Sequence, residues 1–259
     1  MKCRFGLIGK KLGHSYSPFI HNELFKIRKK DASYELIECQ KEQLHDQIML
    51  LRNGIYQGFN VTIPYKEAII PYLDLIDDKA KRINAVNTIS YENGKVIGYN
   101  TDYDGFIKQL KRQQIDVYKR KCFILGTGGA SKSCYWALVD LGADVVFVSR
   151  TKKDDKTVSY DDLVNLEIDI IVNTTPVGMY PQINNCPLPD DIIAKADVII
   201  DIIFNPTYTV LLQKKKSPNN GLPMLVYQAD AAEKIWFKDN ESHNLELVFH
   251  ALEEMLKDE

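Results

Sequence analysis

The run Lys121-Cys122-Phe123-Ile124-Leu125 ends in Gly126-Thr127-Gly128-Gly129-Ala130-Ser131, and a helix pattern follows through Leu141 to a stop at Gly142. A second apolar run, residues 144–149, comes next. Strand, glycine turn, helix and strand in that order constrain the chain to an α/β unit with a parallel sheet. Within the turn Gly126 suits the tight bend, Gly128 lets backbone approach a pyrophosphate, and the small Ala130 allows close helix–strand packing. The helix N-terminus offers free N–H groups and the positive end of its dipole to phosphates. The reading is a dinucleotide-binding turn.

The rest of the chain keeps the same alternation. Strands are predicted over 4–9, 34–39, 58–63, 122–126, 145–149, 169–173 and 198–203. Helices are predicted near 18–29, 41–52, 104–113, 130–142, 160–166 and 208–216. One antiparallel piece interrupts them: residues 86–91 and 95–99 flank Asn93-Gly94, the pair that favours a type I′ hairpin turn. Lys214-Lys215-Lys216 beside Ser217-Pro218-Asn219-Asn220 reads as a solvated loop. Trp136 and Trp236 read as packing residues.

Charge balance narrows the function classes. Lys plus Arg is 33 and Asp plus Glu is 35, a net charge of −2, which lacks the basic excess of a nucleic-acid binder. No apolar run approaches the roughly 18 residues that span a bilayer. The cysteines, Cys3, Cys39, Cys122, Cys134 and Cys186, are odd in number and never spaced as CxxC, so reduced thiols and a cytoplasmic location are expected. His14, His21, His45, His243 and His250 show no metal-ligand spacing, and no metal is predicted.

The end of the strand after the glycine turn indicates which dinucleotide. NAD sites place an acid there for the ribose 2′-hydroxyl. This chain instead has Ser149-Arg150-Thr151-Lys152-Lys153 and no acid before Asp154. The planar fork of Arg150 suits a 2′-phosphate, so NADP is the favoured cofactor.

In the first half, Ser17 before Pro18 fits a helix N-cap followed by the first helical position. Capping does not explain Ser15, and two hydroxyls two residues apart could grip a carboxylate. Asn60-Val61-Thr62-Ile63-Pro64-Tyr65-Lys66 reads as a strand running into a helix at Pro64. That places Lys66 in a first turn, against its dipole preference, which hints at function. Ala85-Val86-Asn87-Thr88 and Asn100-Thr101-Asp102 add polar residues at strand ends, where α/β ligand sites form.

Together these residues resemble the shikimate dehydrogenase family nearly end to end. The matching segments are Gly6-Leu7-Ile8-Gly9, Ser15-x-Ser17-Pro18, the Asn60–Lys66 and Ala85–Thr88 stretches, Asn100-Thr101-Asp102 and the glycine turn. They continue with Ser149-Arg150-Thr151, Asn173-Thr174-Thr175-Pro176-Val177-Gly178-Met179, Asn205-Pro206, and Met224-Leu225 with Gln228. The resemblance implies NADP-dependent, reversible reduction of 3-dehydroshikimate to shikimate, in aromatic amino-acid biosynthesis. It implies a carboxylate site at Ser15 and Ser17, with Thr62, Lys66, Asn87, Asp102 and Gln228 around the ring hydroxyls. Lys66 and Asp102 correspond to its catalytic pair. Its cofactor contacts map onto Gly126, Gly128, Gly129, Ala130, Ser149, Arg150, Thr151, Thr175 and Gly221.

The implied architecture is two α/β domains facing a cleft: a substrate domain from 1–102 plus 226–259, and a Rossmann-like NADP-binding domain from 103–225. Hinge closure, a small-molecule substrate, and a monomer or homodimer are expected. The chain departs from the family at Ser149 (commonly Asn), at Asp154 (often Arg nearby, with Lys152 or Lys153 as substitutes), and at Phe204 (Tyr). Asp230 replaces a small residue, and a helix-capping role is expected for it. A quinate/shikimate dehydrogenase using NAD is opposed by Ser17 and Arg150. A non-catalytic ligand sensor on the same fold is opposed by the intact Lys66 and Asp102. Methylene-tetrahydrofolate dehydrogenase, which shares the architecture, should lack the Ser15-x-Ser17 and Asn100-Thr101-Asp102 sets.

Overall fold

Parallel βα units build most of the chain. The computed structural model describes residues 2–13, 15–151 and 154–257, so His14, Lys152 and Lys153 lie outside the described residues. Two compact units result, Met1–Gly105 with Val226–Glu259, and Phe106–Leu225.

The first unit contains β1 (Cys3–Gly9), α1 (Ser17–Ile27), β2 (Ala32–Glu38), α2 (Leu44–Arg52), β3 (Gly58–Val61), β4 (Leu75–Ile76), α3 (Asp78–Ile83), β5 (Thr88–Glu92) and β6 (Lys95–Tyr99). Its six-stranded sheet has the order β2-β1-β3-β5-β6-β4. β1 pairs in parallel with β2 and β3, whereas β5 is antiparallel to β3 and to β6. The hairpin turn has positive φ at both Asn93 (50°) and Gly94 (79°), as a type I′ turn requires.

The sheet buries both faces. On one, Leu44, Ile48 and Leu51 of α2 recur at helical spacing and pack against Ile8, Phe59, Ile89 and Val96. Each such side chain contributes about 1.5–3 kcal/mol by leaving water. On the other, Phe5, Leu7, Phe25 and Tyr34 meet Trp236, whose ring stacks on Phe5 at 4.5 Å. A Cβ at Gly58 would stand 2.2 Å from Trp236 Nε1, so that position in β3 has no room for a side chain.

α4 (Thr101–Arg112) leads into the second unit. There follow β7 (Lys121–Leu125), α5 (Gly129–Asp140), β8 (Asp144–Val148), β9 (Thr157–Val158), β10 (Ile170–Asn173), α6 (Asp190–Lys195), β11 (Val198–Asp201) and α7 (Val210–Lys215). The sheet is wholly parallel, in the order β11-β10-β7-β8-β9. The winding direction reverses between β7 and β10, the switch point at which doubly wound sheets bind ligands. α8 (Leu222–Phe237) and α9 (Glu246–Lys257) end the fold. No helix among the described residues is long and apolar enough to cross a membrane.

Several expectations need correction. No α-helix follows Pro64: the Lys66 carbonyl accepts from Val86 N–H at 2.8 Å, which diverts it from a helical partner, and the segment closes as successive turns. The dipole argument for Lys66 therefore falls. Residues 161–165 form a 3₁₀ turn rather than an α-helix. Tyr16, not Ser17, occupies the N-cap of α1. The loop after Lys216 is docked rather than solvated, because the buried Ser217 hydroxyl donates to Ile199 O at 2.7 Å. Asp230 lies inside α8 and pairs with Arg28 at 2.5 Å, so it caps nothing.

Candidate active site

In the first unit, polar side chains from four sequence segments converge. Lys66 comes from the turns after β3, Asn87 from the residue before β5, Asp102 from the first turn of α4, and Gln228 from α8. Lys66 Nζ donates to Asp102 Oδ2 at 2.5 Å. Asn87 Nδ2 donates to Asp102 Oδ1 at 2.9 Å and approaches Gln228 Oε1 at 3.4 Å. The two charged side chains are only 13% and 8% exposed, so water screens the pair weakly.

Local hydrogen bonds hold each member. The Asn100 side-chain Oδ1 accepts from Tyr103 N–H at 3.2 Å, which caps α4 and aims Asp102 from its first turn. Asn87 Oδ1 accepts from Thr101 N–H at 2.7 Å, tying the β5 approach to the same helix end. A carboxylate in a first helical turn also meets the favourable end of the dipole.

Ser15 and Ser17 lie at the start of α1. The Ser15 hydroxyl accepts from Ser17 N–H at 3.3 Å, and Ser17 is buried. Local structure therefore does use the Ser15 hydroxyl, contrary to the sequence reading. The Tyr34 phenol donates to Asn60 Oδ1 at 2.7 Å. Thr62 stands where β3 gives way to the turns that carry Lys66, with its N–H bonded to Ile8 O at 3.0 Å.

In the second unit, the glycine turn joins β7 to α5. Gly126 has φ +104°, where a side chain is strained, and Gly128 is the N-cap of α5. Ser131 Oγ accepts from Gly128 N–H at 3.1 Å and lies 2.6 Å from Thr174 Oγ1, which donates to Leu125 O. These hydroxyls lock the ends of β7 and β10 at the switch point. Gly129 and Ala130 open α5, so their N–H groups belong to its unpaired first turn.

Thr175 follows Thr174, and its hydroxyl donates to Asn173 Oδ1 at 2.7 Å. A Cβ at Gly126 would meet Thr175 Cγ2 at 3.3 Å, so Thr175 borders the glycine turn. Gly126 N–H donates to Val148 O, which places the end of β8 alongside. Beyond it Ser149 Oγ accepts from Thr151 N–H at 3.3 Å, and Arg150 and Thr151 are exposed. Gly221 is buried on the β11 side, where a Cβ would stand 1.9 Å from Ile202 O. Its glycine is explained by backbone approach. The open space around a Cβ at Gly128, the free N–H groups of α5 and the exposed Arg150 fit a dinucleotide with a 2′-phosphate.

Residues 7–89 match the model of the shikimate dehydrogenase substrate binding domain. A shikimate dehydrogenase (NADP(+)) of Clostridium beijerinckii is 42% identical over 245 residues, covering 90% of this chain and 91% of the relative. The chain belongs to the shikimate dehydrogenase family. The crystal structure of shikimate dehydrogenase 1 from Peptoclostridium difficile superposes with a TM-score of 0.91 at 39% identity, over 98% of this chain and 99% of the other. That of the Thermus thermophilus enzyme, solved with NADP(H) and shikimate, gives 0.83 at 29% identity, over 92% and 94%. Fold and family agree with the resemblance read from the sequence.

Sequence reasoning missed the residues beneath the site. Asn60, Thr88 and Thr101 stand inside the motifs but were not singled out, and His21, Tyr34 and Glu233 were not connected to the site at all. One signal was available for His21: it lies four residues after Ser17, on the same helix face.

Proposed function

We propose that this chain reduces 3-dehydroshikimate to shikimate, reversibly and with NADP. The family supports this reading, and the observation that carries it to the site is the Lys66–Asp102 pair at 2.5 Å with Asn87 and Gln228 beside it. NADPH bound in the second unit supplies the hydride. Its pyrophosphate is assigned to Gly126, Gly128, Gly129 and Ala130, its 2′-phosphate to Ser149, Arg150 and Thr151, and its remaining contacts to Thr175 and Gly221.

The first unit holds the substrate. Ser15 and Ser17 take the carboxylate, and Thr62, Asn87, Asp102 and Gln228 take ring hydroxyls. A carbonyl that receives hydride becomes an alkoxide, which needs a nearby positive charge and a proton. Lys66 Nζ supplies both. Asp102 orients that ammonium through Oδ2 and, in this role, accepts from a substrate hydroxyl. The enzyme works in the cytoplasm, as a monomer or homodimer.

The test is four assays side by side: NADP and NAD reduction with shikimate and with quinate. Turnover of shikimate with NADP at a kcat/KM well above the other three is the expected result. Preference for quinate or for NAD would overturn the reading.

A further inference from the structure

Ser131 and Thr174 border the glycine turn, and their hydroxyl protons can be placed in order. Leu125 O is a backbone carbonyl and can only accept, so the Thr174 hydroxyl proton goes to it at 2.6 Å. Thr174 Oγ1 then has only lone pairs for Ser131 Oγ, 2.6 Å away, and Ser131 must be the donor between them. Ser131 Oγ in turn accepts from Gly128 N–H at 3.1 Å. The chain runs one way, from Gly128 N–H through Ser131 and Thr174 to Leu125 O. Bonds that share their hydroxyls in this way polarise one another, and Ser131 is only 1% exposed, away from competing water.

This chain decides which donors the turn offers. Helical pairing in α5 begins with Lys132 N–H to Gly128 O at 3.0 Å, so the N–H groups of Gly129 and Ala130 have no partner within the helix. Gly128 N–H, the next donor toward β7, is held by Ser131 instead. What Gly128 gives a phosphate is room, since a Cβ there would meet nothing within 4 Å. Gly126-Thr127-Gly128 carries two glycines, so the turn has much backbone freedom to lose when a ligand orders it. Pinning one of its N–H groups to the ends of β7 and β10 removes part of that freedom in advance, and preorganisation of this kind strengthens binding.

We propose that Ser131 is a positioning residue for the cofactor pyrophosphate: backed by Thr174, it pins Gly128 N–H and leaves the Gly129 and Ala130 N–H groups for the phosphates. The proposal rests on the reading of the glycine turn as the pyrophosphate site.

Ser131→Ala tests it, because the substitution strands no buried donor. Gly128 is exposed, so its N–H can turn to water, and Thr174 keeps its bond to Leu125 O. Tm should fall by no more than about 6 °C. The readout is calorimetric binding of NADP and of 2′-AMP, which has the adenosine and 2′-phosphate but no pyrophosphate. Kd for NADP should rise about 2- to 10-fold, the equivalent of one neutral hydrogen bond, while Kd for 2′-AMP stays within about 2-fold. Thr174→Val keeps the volume and removes the acceptor of the Ser131 proton, and Leu125 O retains Thr174 N–H at 3.1 Å. It should show the same split, and in a Ser131→Ala background it should add nothing. Equal weakening of both probes would mean that Ser131 only shapes the domain, and it overturns the proposal, as does an unaltered Kd for NADP. Should Ser131→Ala be unfolded by circular dichroism, Thr174→Val decides by the same split, and unfolding of both overturns the proposal by making the pair a requirement of the fold. Wild-type binding is measured first. Failure to bind NADP would overturn the cofactor reading and this proposal together, whereas binding with unaltered Kd in the variants overturns this proposal alone.

Discussion

Lys66 reaches Asp102 Oδ2 at 2.5 Å while Asn87 donates to Oδ1 at 2.9 Å, so each carboxylate oxygen already faces a donor. This makes the exchange Asp102→Asn informative. The new amide must turn its NH₂ toward either the Lys66 ammonium or the Asn87 amide, and donor faces donor in both cases. Asp102→Asn should therefore lower kcat and raise KM for shikimate, each by about 10-fold or more, at an unchanged KM for NADP. Lys66→Ala should lower kcat by about 10²–10⁴, the span of a positioned acid–base group. Full turnover in the Lys66 variant, measured on folded protein, would remove Lys66 from the mechanism.

The glycine turn separates cofactor binding from stability. Gly128 has φ −80° and open space where a Cβ would go, so alanine fits the fold and costs at most about 1 kcal/mol at an N-cap. A methyl group there stands in the path of a pyrophosphate. Gly128→Ala should keep Tm nearly constant and raise KM for NADP at least about 10-fold. Gly126→Ala should do the reverse first, losing about 1–3 kcal/mol of stability, because φ is +104° and Thr174 Oγ1 and Ser131 Oγ lie 3.2 and 3.3 Å from the new Cβ. Thermal unfolding and initial rates of both variants decide. Equal losses of Tm would mean that both glycines serve only the fold.

Much of this was legible in the sequence, for identifiable reasons. β7, β8, β10 and β11 are largely continuous apolar runs, and the glycine turn and Asn93-Gly94 announce backbone conformations that few other residues tolerate. Lys66, Asn87, Asp102 and Gln228 were each nominated and are brought together. What stayed hidden depends on long-range pairing. The Lys66 segment looked helical because nothing local reveals that Val86 N–H claims its carbonyl. β4 and β9 have two residues each and carry no periodicity. His21 and Glu233 are 212 residues apart, and no spacing rule connects them.

Arg150 is exposed at the end of β8, with Ser149 turned back on Thr151 N–H. Only NADP brings a 2′-phosphate to that corner. Arg150→Ala should raise KM for NADP by about 10- to 150-fold, the worth of a charge-assisted contact of about 1.5–3 kcal/mol, and leave KM for NAD nearly constant. An equal loss for both cofactors would show that Arg150 shapes the β8 end rather than reading the phosphate.

One proton lies between His21 Nδ1 and Glu233 Oε1, which are 2.8 Å apart. Because His21 Nε2 must donate to Asn60 Oδ1, which only accepts, a neutral imidazole presents bare Nδ1 to Glu233 Oε1, and the glutamic acid must be the donor. Burial favours that neutral pair, pushing Glu233 up to about 9 and His21 down to about 3. Arg28, at 3.0 Å from Glu233 Oε2, pulls Glu233 the other way, but it is shared with Asp230 and Asp239 and burial outweighs it. From about pH 3 to 6.5 the unfolded chain binds the extra proton at His21, so that group favours folding as pH rises. From 4.5 to about 9 the folded chain binds the extra proton at Glu233, so that group disfavours folding as pH rises. The two cancel between 4.5 and 6.5, and above 6.5 only Glu233 remains. Stability should then fall with pH toward 9 at a limiting slope of about 1.4 kcal/mol per unit. Glu233→Gln supplies an amide N–H in place of the acid O–H and carries no titratable proton, so it should fold with near-wild-type stability at pH 6 and lose that slope. Denaturant unfolding of both proteins from pH 6 to 9 measures it. Severe destabilisation of Glu233→Gln at every pH would instead place a carboxylate against an imidazolium, since breaking a buried ion pair costs about 3–5 kcal/mol.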